Sequence, residues 1–225
     1  MKPALLHCIV VGLALGSAHA APPASSVPST CDGTGIRVVG ASAADFKDVC
    51  HGVRAASSFL LSHGLPGEPE LTVEVTAALP VAAGPSAAGC FLAEKQRAYV
   101  LTYAQFQKRR AWFGVPITRG LYRSLATHET AHAIAACHFT AKDPSIQAKE
   151  YVAYVSMFST MPPQLRAKAL NSLPGKGFSN IERVSSFVYL FDPMQFGANA
   201  YRHFVGLESP AAFLSDVLSG RVMSE

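Results

Sequence analysis

A chain of 225 residues, 49% hydrophobic and 15% charged, is long enough to bury one substantial core. Its formal charge of +4, falling to about +3 once Lys2 is discounted, and the lack of a basic cluster beyond Lys108-Arg109-Arg110 exclude a nucleic-acid surface built on charge. That short run reads as a solvated helix face.

Met1 and Lys2 lead into the apolar run "ALLHCIVVGLALG", closed by "SAHA" with Ala18 and Ala20 before a cleavage point. Residues 1–20 therefore read as a secretory signal peptide, too short in its apolar part for a membrane span of ~20 residues. "APPASSVPST", residues 21–30, is a flexible leader, and a single domain is expected over 31–225. Cys31, Cys50, Cys90 and Cys137 follow the cleavage point. An even number in an exported chain points to two disulfides. Of three possible connectivities, the expectation taken is Cys31 with Cys50 and Cys90 with Cys137, leaving no free thiol.

"GIRVVG" (35–40) predicts a short strand, and "SAADFKDVCHGVRAASSFLLSHG" carries apolar residues at helical spacing until Gly64. In "ELTVEVTAAL", Leu71, Val73 and Val75 alternate with polar residues, the mark of a half-buried strand. "GCFLAEKQRAYVLTY" reads as a hairpin whose second arm runs from Tyr99 through Tyr103. Everything after about residue 104 reads as helical, and "LPGKGFSN" (173–180) as an ordinary loop. The fold class implied is α+β, a small mixed sheet with helices packed on one face and a mainly helical C-terminal half.

The chemistry lies in "LATHETAHAIAACHF", residues 125–139. His128, Glu129 and His132 satisfy H-E-x-x-H. On a helix the two histidines stand about 40° apart and reach one ion, while Glu129, turned ~100° from His128, can act as a base without being a ligand. The uncharged neighbours Thr130, Ala131, Ala133 and Ile134 fit a helix buried under a sheet. Two residues compete for the third ligand. His138 falls at the spacing of the metzincin pattern, but the glycine turn of that pattern is replaced by Ala135 within the helix-forming run "AIAAC". Without a turn, His138 lies ~15 Å along the helix from His128. Glu150 follows in "IQAKEYVAYVSMFSTM", a second helix expected to start with Asp143 as N-cap and Pro144 as first residue. Ala153 nearby lets two helices approach closely.

"HETAH", the return helix "KEYVAYV" and the preceding strand and hairpin resemble the gluzincin zinc peptidases, over roughly residues 95–158. The resemblance implies a zincin-like fold, zinc held by His128, His132 and Glu150, and Glu129 as general base. It also implies a Tyr or His that stabilises the developing oxyanion. Among Tyr151, Tyr154, Tyr201 and His203, the expectation is His203, which comes from a separate downstream element. The function expected is an exported zinc metallopeptidase, periplasmic or secreted, acting on a peptide or protein substrate. The alternatives are a zinc-binding envelope scaffold without turnover and a metzincin-like peptidase using His138.

Overall fold

The computed structural model describes residues 29–67, 69–84 and 87–224, so the expected signal peptide and most of the expected leader lie outside the described residues. The chain runs β1 (Ser29–Thr30), β2 (Arg37–Val39), α1 (Ala43–Ser62), β3 (Thr72–Thr76), β4 (Gly89–Leu92), β5 (Arg97–Leu101), α2 (Tyr103–Gln107), β6 (Ala111–Trp112) and β7 (Val115–Pro116). There follow α3 (Arg119–Ala136), α4 (Ile146–Thr160), α5 (Pro163–Ser172), α6 (Ser186–Phe191), α7 (Pro193–Val205) and α8 (Pro210–Ser219). The architecture is α+β. Among the described residues, no helix is long and apolar enough to cross a membrane.

A five-stranded mixed sheet has the order β1-β2-β3-β5-β4. β2, β3 and β5 are parallel neighbours, while β1 and β4 pair antiparallel at the two edges. The strand alternation read in the sequence holds. Leu71, Val73 and Val75 are at most 3% exposed, and Ala98 and Val100 beside them are fully buried. On the other face Arg97 pairs with Glu74 at 2.6 Å, both partly exposed. Gly89 lies opposite the buried Val100 and Cys90 opposite Tyr99, so β4 turns Gly89 inward and the Cys90 side chain outward.

α1 locks α3 in place from below. Ser42 caps α1 by accepting from the Asp45 N–H, and Thr118 caps α3 by accepting from Leu121. Arg119 reaches Asp45 at 2.6 Å and Asp48 at 3.0 Å, and Arg123 Nε donates to Asp48 at 2.6 Å. Asp45 also accepts from the Tyr103 N–H, which ties the end of β5 to the same pair of helices. Further along, the Thr127 hydroxyl donates to Gly52 O at 3.2 Å. A side chain at Gly52 would collide with Ala126 and the Thr127 backbone at 2.7 and 2.8 Å, so the two helices are in backbone contact there.

Several local expectations are corrected. Ser29 and Thr30, expected in the leader, form β1. Tyr103 starts α2 behind the N-cap Thr102 instead of extending the hairpin arm. The region after 104 is not all helical, because β6 and β7 form a hairpin turned by Phe113 and Gly114, both at positive φ (51° and 69°). Two-residue arms are too short to show periodicity. The Lys108-Arg109-Arg110 run is no helix face: Lys108 caps α2, Arg110 takes a φ of 65°, and half-buried Arg109 donates to Ala87 O. α4 is capped by Ser145, whose hydroxyl accepts from Ala148 N–H and donates to Met223 O, and not by Asp143.

Cys31 and Cys50 form the expected disulfide. Cys90 and Cys137 do not; both are free. Gly89, next to Cys90, abuts Glu129, which stands eight residues or about 12 Å along α3 from Cys137, beyond the reach of a disulfide. Denatured protein prepared without residues 1–20 is accordingly expected to titrate two thiols. In the native state exposed Cys137 should react first, since burial and then the Glu129 charge push the Cys90 thiol up to about 11. Replacing Cys31 and Cys50 by Ser should lower the unfolding free energy by about 3 kcal/mol, the loop-closure value for their separation of 19 residues. A chemical-denaturation midpoint unchanged by the double substitution would contradict this.

Candidate metal centre

α3 packs against α1, α4, β4 and β5, so its middle is buried from every side. Thr130, Ala131 and Ala133 are fully buried there, and His128 and Glu129 are 7% and 4% exposed. The histidine spacing then does what helical geometry demands. Nε2 of His128 and Nε2 of His132 stand 3.1 Å apart. Glu150, in the second turn of α4, brings Oε2 to 3.4 Å from the first and Oε1 to 3.5 Å from the second. These three side chains form a group able to hold a metal ion.

The spacing can be tested against a bound ion. Two atoms each about 2.0 to 2.2 Å from a small tetrahedral cation lie about 3.3 to 3.6 Å apart. The triangle edges of 3.1, 3.4 and 3.5 Å fit one face of such a tetrahedron. Glu150 Oε2 is buried without a hydrogen-bond partner, as a ligand oxygen awaiting a cation would be. His128 Nδ1 is also unpartnered. The ring is held by packing instead, with Tyr154 at 4.5 Å between centroids. Tyr154 is in turn backed by Gly197 of α7, where a Cβ would come within 2.6 Å of the tyrosine ring.

Charges in the cluster are strongly coupled. Burial lowers the His132 imidazole to about 4, leaving it neutral. Burial also opposes a charge on His128, but the facing Glu150 carboxylate outweighs it and raises that ring's pKa. Burial disfavours the Glu150 charge as well, yet the two imidazoles and the Tyr189 hydroxyl keep its pKa below the usual value. A raised pKa on His128 means that a metal entering the centre competes with a proton for that ring. Burial pushes the Glu129 carboxyl up to about 8, the Glu150 charge adding to the effect and His128 opposing it.

Glu129 is not part of the ligand triangle. It lies beneath β4, with Oε1 2.5 Å from where a Cβ on Gly89 would be, so only a glycine leaves room for the carboxylate. Of the residues picked out from sequence, His128, His132, Glu150 and Glu129 therefore meet. His203 does not join them. It pairs with Tyr151 Oη at 2.7 Å and packs against Phe213. His138 follows the C-cap Cys137 and lines a separate cleft with His63 and Leu218.

Sequence reasoning passed over Tyr189. It stands on α6, packs on Phe196 at 5.5 Å, and directs its hydroxyl at Glu150; burial, and then that carboxylate, raise its phenol pKa. Six residues with no buried member give α6 too little periodicity to mark which side faces inward.

Residues 36–225 match the family described as Family of unknown function (DUF6639). The chain belongs to that family. No curated protein and no solved structure matches it, so for this DUF6639 member function has to be argued from the site itself.

Metal affinity measured by chelator competition should fall by orders of magnitude in Glu150→Ala, which leaves two protein ligands, and stay near wild type in His138→Ala. The reverse pattern would remove Glu150 from the centre. Gly197→Ala should also weaken binding, by about tenfold, because it drives Tyr154 toward His128.

Proposed function

We propose that the protein is an exported zinc metallopeptidase of the gluzincin kind, zincin-like in fold, that hydrolyses peptide bonds with Glu129 as general base. The observation carrying this reading is the triangle of His128, His132 and Glu150 with an independent buried carboxylate, Glu129, one residue from the first ligand. A purely structural metal site has no need of that fourth group. Two imidazoles and one carboxylate at tetrahedral spacing suit zinc, whereas calcium and magnesium favour oxygen-rich sets. The Cys31–Cys50 disulfide agrees with export.

Zinc held by this triad would lower the pKa of water toward about 7 and polarise a peptide carbonyl. Glu129 takes one proton from the attacking water and passes it to the leaving amine, as the C–N bond breaks and the water oxygen stays on the acyl carbon. β4 is an edge strand of the sheet directly over Glu129, and its free backbone groups can align an extended substrate. Tyr189 approaches from α6, a separate element, and its hydroxyl can donate to the negative oxygen that develops on the carbonyl. It takes the role first expected of His203.

Purified protein should bind about one zinc. Glu129→Gln should retain it and lose peptidase activity by at least about 10²-fold, because the amide cannot accept the proton. Tyr189→Phe should lower kcat by on the order of 10²-fold with little change in KM, while His203→Gln leaves kcat near wild type. Undiminished turnover in Glu129→Gln would end the reading.

A further inference from the structure

The metal centre is covered. The side chains of His128, His132 and Glu150 are 9%, 14% and 13% exposed, and Glu129 is nearly buried. Openings of that size pass water but not a peptide bond, whose carbonyl carries chain on both sides. One wall of the centre therefore has to move before anything larger than water reaches the three ligating side chains.

The walls are held very differently. α3 is fixed to α1 by Arg119, Arg123 and the backbone contact at Gly52. β4 pairs with β5 along its whole length. α4 buries most of its residues, and α7 sets Phe196, Ala198, Ala200 and Phe204 in the core. α6 buries none. It is a strap between two anchored points: Val184 before it is buried, and the Asp192 carboxylate after it accepts from the Met194 and Gln195 N–H groups at the start of α7. Between those points Val188 and Tyr189 pack inward, while helical spacing sends Phe187, Leu190 and Phe191 to the solvent side. Tyr189 rests on Phe196, and its hydroxyl is hydrogen-bonded to Glu150. Turning the strap about the line through its anchors lifts that hydroxyl away and uncovers no fully buried residue of α6, so the motion costs little beyond the tyrosine contacts.

We propose that α6 is a lid on the metal centre, latched by the Tyr189 hydroxyl on Glu150, which lifts to admit a ligand and closes again with Tyr189 over it. The inference rests on the peptidase reading only for what enters, a peptide; the latch itself is a property of Tyr189 and Glu150. Closure brings the Tyr189 donor to the reacting carbonyl and excludes water from it in one movement. The tyrosine thus has two successive partners, Glu150 in the resting protein and the substrate oxygen once a peptide is bound.

Two measurements test the latch without relying on turnover. In hydrogen exchange on the purified protein, with zinc and without it, segments covering α6 should exchange faster than those covering α4 and α7. Tyr189→Phe should speed α6 by a further tenfold or so, the worth of one hydrogen bond to a charged group, and leave α4 and α7 unchanged. Phe187→Gln, on the solvent side, should change neither. Equal protection of α6 and α7, equal acceleration of every helix by Tyr189→Phe, or the same acceleration by Phe187→Gln overturns the proposal. The second measurement loads the protein with cobalt and follows its absorption as azide or benzohydroxamate is mixed in. Tyr189→Phe should accelerate binding of the bulky hydroxamate about tenfold and leave that of the small azide near wild type. A hydroxamate rate unaffected by Tyr189→Phe, or the same acceleration for azide, overturns the lid. If the latch behaves as expected and no peptide is cleaved, the peptidase reading fails and the lid stands.

Discussion

Two imidazole nitrogens and a carboxylate held 3.1 to 3.5 Å apart in the protein interior repel one another unless a cation lies between them. A single proton within the cluster relieves part of that repulsion, but it cannot satisfy three converging lone-pair groups. The surrounding structure has to hold these groups together against their own electrostatics. Most of the packing around α3 and α4 can be understood in those terms.

The scaffold answers with rigidity placed around the cluster. At its N-terminal end α3 is clamped to α1 by Arg119 and Arg123 on two nearly buried aspartates, Asp45 and Asp48. Both arginines are more than a third exposed, so solvent screens these pairs and their main effect is alignment of the two helices. Backbone contact at Gly52 then sets the helix spacing one turn before His128. On the α4 side, Ser145 and Gln147 reach Met223 O, which ties the start of the helix carrying Glu150 to the C-terminal segment. Side chains that are themselves fixed by packing can be held at ligand distances before an ion arrives.

The opposite wall of the centre is built more lightly. α6 buries none of its residues, and Phe187, Leu190 and Phe191 are 75%, 67% and 84% exposed. Tyr189 is kept in place chiefly by Phe196 and Glu150. An element with so little buried area opens more readily than the helices it covers. The metal triangle and Glu129 thus belong to the rigid part of the protein, whereas the tyrosine that approaches them belongs to a part with a lower local stability.

The sequence by itself determined the elements whose signals are local. Alternation in "ELTVEVTAAL" showed which face of β3 is buried, and the four-residue spacing of His128 and His132 put both on one side of a helix, because periodicity follows from backbone geometry alone. The unbroken run between His132 and Ala136 also held as helix, which carried His138 away from the centre. Glu150 was readable as a partner, since a reversal of the chain was the simplest way to supply a third ligand. Only the tertiary structure decided what depends on contacts between distant segments. Cys90 and Cys137 have even-numbered cysteines on their side, but Gly89 sits over Glu129 and the two thiols are too far apart to bond. His203 and Tyr189 are equally plausible in one dimension. The packing of α7 turns the first toward Tyr151, and the short α6 brings the second to Glu150. Arg109 looked like a surface charge until the loop before β4 folded onto it. In each case the deciding quantity is the position of one element relative to another, set by the sum of many packing contacts and carried by no single stretch of sequence.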